Sequence, residues 1–564
     1  MVTQVWIAQT DASSSRILTH AATDVTDFAW SPDGKSIVFS STAGLIEARK
    51  AIEVEGLSGY HYDDRSVPDY GPTPLLSGRL PEQYDIIALS GGPARPATAS
   101  ERQALLPPID YETTDRAVLK ASGTNHHRAW TAPRDRNWTT TVDLWASDGA
   151  KPAIRCDADA CRGTPSHGLL GLWWSADGHK VYFMRQEGWD LEETTLYAWA
   201  PGSEPERIVK TTDVVMGCQM VPAGLACVRE SSTQPRQLVI INPENARSSP
   251  VFDPNPEFAD VRLGTVQRLR FKNDAGMEAF GDLVLPPDYK PGVRLPLVIV
   301  QYRSKGFLRG GTGDEYPIQL FAARGFAVLS FQKPLAVFEV HPNPAWKTWQ
   351  EAEVANQKNW SERRSKLSAI LNGLKQAISL GVVDPARVGI SGLSDGSTTV
   401  RFGMINAPGI FAAAAVSGCC FDGRSMMIYG GPAVAKERAN MGFPPVGEDM
   451  SAWKAHSLPY NAARIETPLL IQSVDHDYLY ALETVAMLRQ EKKPVDLFVF
   501  PDEYHVKWQP AHRLAAYDRG LDWFDFWLRN REDPDPEKRA QYSRWEAMRA
   551  EWKGGVASSP APAH

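Results

Sequence analysis

A serine hydroxyl attacks a carbonyl only when a base takes its proton, and the tetrahedral oxyanion that follows needs donors to hold it. The chain carries residue types for each of these tasks. Gly392-Leu393-Ser394-Asp395-Gly396 sets a serine between two glycines, each two residues away. The five-residue pattern is weak alone, because glycine-rich loops match it by chance. Its flanks sharpen it. "ARVGIS" before it is an apolar strand segment, and a helical pattern follows. Small residues two before and two after the serine suit a sharp strand-to-helix turn, where neighbouring backbone crowds in. Such a turn strains the serine and projects its Oγ. Ser391 and Ser397 lie nearby, but neither has glycine on both sides.

The base should be a histidine held by a carboxylate, in the chain order Ser, Asp, His. "DHDYLY" follows the strand-like "TPLLIQSV", so Asp475 and Asp477 are the candidates. Asp477 is preferred because it lies further into the loop beyond the strand end; Asp475 is the alternative. "DEYHVKW" follows the strand-like "PVDLFVFP" and places His505 in the loop before a closing helix. His512 is the alternative, in or near that helix, and His476 is expected to pack or be solvated beside the aspartates. Loops contain Asp and His routinely; the joint order, each after a strand, is what points to a triad. The backbone N–H of Asp395, at a helix start, is one expected oxyanion donor. Tyr302, just past the apolar strand in "PLVIVQY", is the second, unless its ring merely packs on the sheet edge. The Asp395 side chain has no role that its sequence context defines.

The elements that must position these residues differ between the halves of the chain. From about Val261, strands alternate with helices. "LPLVIVQYRS" is nearly all apolar, as a buried parallel strand should be. "RSKLSAILNGLKQAISLG" has helical spacing and stops at Gly381, and "LAAYDRGLDWFDFWLRNR" is an amphipathic closing helix. This predicts an α/β-hydrolase domain over 258–550, with a disordered tail over 551–564. Residues 1–257 read instead as short strands and turns. "FAWSPDGKSIVFSS" and "LWWSADGHKVYFMR" share an Asp-Gly hairpin signal, with Ser31 and Ser175 144 residues apart, three periods of 48. A weaker copy is "CQMVPAGLACVRE". A period of 40–50 residues with several strands per unit predicts a β-propeller, with four to five blades visible and an insertion around "EVEGLSGYHYDD". A β-sandwich with coincidental hairpins is the alternative. Outer strands appear at Val5 with no inner strands before them, so the chain is expected to begin inside an incomplete propeller, with sequence missing before Met1.

Composition narrows the partners. The 564 residues carry a formal net charge of −7 and no basic stripe, so no nucleic-acid partner is expected. The most apolar run, Phe411–Phe421, is too short to span a membrane, and no signal peptide is visible at Met1. The six cysteines form three close pairs, Cys156/Cys161, Cys218/Cys227 and Cys419/Cys420. Disulfides closing hairpins are preferred over reduced, buried thiols; no histidines sit nearby to complete a zinc set. Disulfides would imply export, so a periplasmic location is expected, with a cytoplasmic one as the alternative.

A repeat-built propeller followed by these motifs resembles the prolyl oligopeptidase family of serine peptidases, over most of the chain. "PLVIVQYRS" is similar to the family strand carrying the oxyanion tyrosine, and "DPARVGISGLSDGS" to its nucleophile region. "QYRSKGF", "GLSDGS" and the spacings of 83 and 28 residues between Ser394, Asp477 and His505 look like the lasso peptide isopeptidase branch. The usual family pattern has Tyr-Gly-Gly where Tyr302-Arg303-Ser304 stands here. The family propeller usually has seven or eight blades and its hydrolase domain takes an N-terminal segment; both look short here. The resemblance implies a threaded lasso peptide as substrate, hydrolysis of its ring-closing amide through an acyl-enzyme on Ser394, a propeller lining the chamber, and no metal or organic cofactor. The competing expectations are a linear-peptide oligopeptidase, a dipeptidyl or acylaminoacyl peptidase, and a propeller binding protein with an inactive hydrolase domain. Glu192-Glu193, tempting as an amine-holding pair, reads as a solvated turn in a charged run.

Overall fold

The structure is a computed structural model that describes every residue except 1, 10–12, 32, 79, 103, 106–118, 124–126, 135–140, 149–151, 164–167, 420, 448–449 and 559–564. The chain divides into two compact units, one of residues 1–118 with 430–433, the other of 119–429 with 434–564.

The first unit holds a two-stranded hairpin, Trp6–Ala8 with Ser15–Ile17, and a four-stranded antiparallel sheet. The sheet runs in chain order through Val25–Trp30, Ser36–Thr42, Glu82–Ala88 and Arg95–Pro96. The expected insertion leaves this sheet between its second and third strands and begins with a helix, Leu45–Gly56. Val5, Leu18, Val25, Ile37, Phe39 and Ile87 form the core.

The second unit opens with three more antiparallel meanders. They run over Lys120–Arg155 with a fifth short strand, Leu169–Thr211, and Val214–Phe252. Four four- or five-stranded antiparallel sheets and one hairpin therefore stand among the described residues. The shared hairpin signal has a physical basis. Ser31 Oγ donates to Asp33 Oδ1 at 2.6 Å, and Ser175 Oγ donates to Asp177 Oδ1 at 2.5 Å. In both turns the same carboxylate oxygen then accepts the backbone N–H two residues on, and the glycine between has positive φ, 67° at Gly34 and 72° at Gly178. Cys156–Cys161 and Cys218–Cys227 are disulfides, with Cα atoms 5.9 and 4.2 Å apart. Cys419 is buried, and Cys420 lies outside the described residues.

The rest of the second unit is built on one eight-stranded sheet. Its spatial order is Thr265–Lys272, Glu278–Leu285, Ala327–Gln332, Leu295–Tyr302, Val383–Leu393, Ala413–Ser417, Leu469–Val474 and Val495–Phe500. The first two strands pair antiparallel, the second runs antiparallel to the third, and all later pairs are parallel. Leu297 and Ile299 pack into a core on one face while Val298 and Val300 pack into a core on the other, all with no exposed surface. Burial on both faces is why this strand lacks polar alternation. The boundary expected at 257 falls inside the second unit, between Ser248–Phe252 and Thr265–Lys272, where meanders give way to the mixed sheet.

Two features differ from expectation. A further helix, Arg539–Ser558, follows the closing helix Pro510–Arg529 and runs into the segment expected to be disordered from 551; residues 559–564 lie outside the described residues. Its anchor is aromatic: Trp545 is fully buried against Trp523 and Phe526, long-range contacts that the local sequence does not reveal. Glu192 is not in a solvated turn. It is buried, in a loop after the second strand of its blade, where it pairs with Arg268 and Arg270 of the eight-stranded sheet's first strand. No helix among the described residues is long and apolar enough to cross a membrane.

Candidate active site

Ser394 sits between the strand Val383–Leu393 and the helix Asp395–Asn406, with φ 58° and ψ −117°. Positive φ in a non-glycine residue is the strain expected of a serine at such a turn. The turn is crowded, and Gly392 is sterically required. A Cβ on Gly392 would lie 2.5 Å from the carbonyl carbon of Gly396, and one on Gly396 would lie 3.0 Å from Tyr302 Cδ1. The neighbouring serines are committed elsewhere: Ser391 Oγ donates to Ile299 O, and Ser397 Oγ donates to Ser394 O at 2.7 Å. Ser394 is pinned through its own backbone, its N–H donating to Ser417 O at 3.0 Å.

The preferred base and carboxylate meet. His505 Nδ1 and Asp477 Oδ2 are 2.5 Å apart, although 28 residues separate them in the chain. The His505 ring lies against Gly418, where a Cβ would come within 2.5 Å of its Cε1 and 3.3 Å of Asp477 Oδ2. Ser394 and His505 thus abut consecutive residues, Ser417 and Gly418, at one strand end. Their side chains are not hydrogen-bonded to each other, a looseness common before substrate arrives. The bond to Asp477 raises the affinity of His505 for a proton, against the opposing effect of desolvation. The alternatives fall away geometrically. Asp475 accepts the backbone N–H of Asp502, and His512, inside the closing helix, bonds Glu503.

Tyr302 ends its strand with its ring beside the first turn of the Ser394 helix. Burial, then the nearby Asp395 carboxylate, raises its phenol pKa, so it remains a neutral O–H donor. The Asp395 N–H begins the helix, and N–H groups in a first turn have no intrahelical acceptor.

The Asp395 side chain has a partner set that sequence reasoning missed. Arg363 Nη2 contacts its Oδ1 at 2.5 Å, Lys366 Nζ its Oδ2 at 2.9 Å, and Lys333 Nζ lies 3.8 Å away. Burial alone would raise this carboxyl, but Arg363, Lys366 and Lys333 hold it far below the usual range. Asp395 therefore rivets the start of the helix after Ser394 to the helix Ser361–Ser379. One signal was present: Arg363 and Lys366 fall in the same helical register as Leu367 and Ile370, so charges interrupt an apolar stripe.

Comparison with known proteins agrees with this architecture. A family model described as the prolyl oligopeptidase family matches residues 350–531. The lasso peptide isopeptidase AtxE2 of Asticcacaulis excentricus is 40% identical over 563 residues, covering 99% of this chain and 78% of that protein. The chain belongs to the prolyl oligopeptidase family. Like that family's members it is a serine peptidase, a hydrolase acting on amide bonds, with a propeller and an α/β-hydrolase domain. A solved structure of a serine-to-alanine variant of AtxE2 with Astexin3-dC4 bound matches with a TM-score of 0.88 and 39% identity, over 97% of this chain and 82% of that one. An acylaminoacyl peptidase from Pyrococcus horikoshii shares the fold, with a TM-score of 0.63 and 17% identity over 95% and 87% of the two chains.

Proposed function

We propose that this prolyl oligopeptidase-family protein hydrolyses the isopeptide bond of a threaded lasso peptide, with Ser394, His505 and Asp477 as its triad. The 40% identity to a lasso peptide isopeptidase, over 99% of this chain and 78% of that protein, carries the substrate assignment. The His505–Asp477 pair beside a strained Ser394 supports the mechanism.

The bond at issue joins a peptide's N-terminal amine to an Asp or Glu side chain. Ser394 Oγ attacks the side-chain carbonyl carbon while His505 Nε2 takes the hydroxyl proton. Asp477 holds Nδ1–H, fixing the tautomer and steadying the imidazolium. The Tyr302 O–H and the Asp395 N–H receive the oxyanion. His505 then returns the proton to the leaving amine, the C–N bond breaks, and an ester to Ser394 remains. Water, deprotonated by His505, attacks that ester and regenerates the serine and a free carboxyl group. The peptide leaves linear and heavier by one water. Around His505 the loop exposes Tyr504 and Trp508, an aromatic surface suited to a peptide. The two disulfides support an oxidising compartment, and the periplasm is the location proposed.

The test is incubation with a threaded lasso peptide and, separately, with linear proline-containing peptides, read by mass spectrometry. A gain of one water on the lasso peptide alone, abolished in Ser394→Ala, is the expected result. Cleavage of linear peptides alone would overturn the isopeptidase assignment. Absence of fluorophosphonate labelling at Ser394 in folded protein would remove the serine-hydrolase mechanism altogether.

A further inference from the structure

We infer that Lys507 is a positioning residue for the triad: its buried ammonium ties the His505 loop to the strand that leads to Asp477 and to the two segments packed against the Ser394 turn. The inference rests on the triad proposed above.

Lys507 follows His505 by two residues, yet its side chain has no exposed surface. Its Nζ donates to both oxygens of Glu315, at 3.0 and 3.1 Å, to Ser417 Oγ at 2.9 Å and to Gln472 O at 3.0 Å. Each partner belongs to a different part of the site. Ser417 is the residue whose carbonyl accepts the Ser394 N–H. Gln472 lies in the strand Leu469–Val474, which runs straight into the loop bearing Asp477, and its carbonyl also accepts from Ser417 Oγ at 2.8 Å. Glu315 adjoins Tyr316, whose O–H donates to Gly392 O at 3.4 Å, so this segment meets the nucleophile turn from another side. Glu315 is itself almost fully buried.

An ion pair this deep is a poor source of stability. Well-packed apolar residues of the same volume commonly do as well or better, because two charges must be stripped of water. What a lysine offers here is directional: one ammonium reaching acceptors on three segments from a loop in which Tyr504, His505 and Val506 are exposed and Glu503 is buried. A loop held only by packing would let the imidazole drift, and displacement by about 1 Å costs on the order of 10²-fold in rate. The pair also balances charge. The charged groups facing His505 are Asp477, Glu315 and Lys507: the two carboxylates favour the imidazolium and Lys507 opposes it.

The experiment compares wild type, Lys507→Met and the double variant Lys507→Met/Glu315→Gln. It measures kcat, KM and the pH profile on the lasso peptide, fluorophosphonate labelling rate, and thermal unfolding. Lys507→Met should lower kcat and the labelling rate about 10- to 100-fold with little change in KM. Its kcat/KM limb should move to higher pH, because Glu315 is no longer balanced. The double variant leaves no unpaired buried charge. It should return the limb to the wild-type position while kcat stays low, since the tie to Ser417 and Gln472 is still missing. Wild-type kcat and limb in folded Lys507→Met, full recovery of kcat in the double variant, or loss of fold in both would each overturn the assignment. Wild type that fails to label at Ser394 would instead refute the triad itself, a separate outcome.

Discussion

In the proposed triad, His505 must be neutral to accept the Ser394 proton, so its proton affinity would set the acid limb of the reaction. The Asp477 carboxylate raises that affinity. A raised value keeps the ring protonated to higher pH, so kcat/KM should rise with pH through an inflection above the ordinary histidine value of about 6.5. Asp477→Asn removes the largest raising influence. The inflection should then move to lower pH, and kcat should fall by on the order of 10⁴-fold, the scale of losing the tautomer-fixing carboxylate in other serine triads. A pH profile of kcat/KM on the lasso peptide checks both; an unmoved inflection would mean that Asp477 does not govern the base. The choice between Asp477 and Asp475 shows where residue-level legibility stops. Both sit in one short loop after one strand, and only the approach of a histidine from another loop separates them.

At the scale of elements, the site depends on how closely two strand ends approach the loops above them. Gly418 has φ 60°, and its missing Cβ is the space that the His505 ring fills. Gly418→Ala should push the imidazole away from Ser394 and lower kcat on the order of 10²-fold while the protein stays folded. Steady-state kinetics beside a circular dichroism spectrum tests this, and an unaffected kcat would show that the ring can sit elsewhere. The strands and helices around this point were legible because their periods differ, continuous apolar runs for the sheet and helical spacing for Ser361–Ser379. The Arg539–Ser558 helix was not, because its burial depends on tryptophans donated by another helix.

At the scale of the whole molecule, a loop of the Leu169–Thr211 blade is bonded into the hydrolase sheet. Trp189 Nε1 donates to Ala279 O at 2.8 Å, Lys305 Nζ donates to Leu191 O at 2.7 Å, and Glu192 bonds Arg270 Nε at 2.7 Å. Lys305 lies three residues beyond Tyr302, and Ser304 Oγ donates to Asp282, the carboxylate that also holds Arg268. The blade loop and the oxyanion segment therefore share one polar network. Glu192→Gln should cost about 1–3 kcal/mol, since Arg270 can hydrate and Arg268 keeps Asp282. In a unit this large that corresponds to a loss of roughly 1 °C in Tm per kcal/mol, read by calorimetry. An unchanged Tm would show that the network contributes nothing net.

What the amino-acid order determined by itself is local. A Gly-x-Ser-x-Gly run between an apolar strand and a helix can only turn sharply, because backbone sterics act over a few residues. The Ser-x-Asp-Gly hairpins at Ser31 and Ser175 and the period-2 and helical patterns are local in the same way. Tertiary structure decided which acidic residue meets His505, that Asp395 is locked by Arg363 and Lys366, that Glu192 is buried, and that Lys507 reaches Glu315 across 192 residues of chain. Those outcomes depend on electrostatic and hydrogen-bond partners brought together only when the sheet closes. A buried charge is stable only where partners from distant segments converge, and no window of sequence contains them.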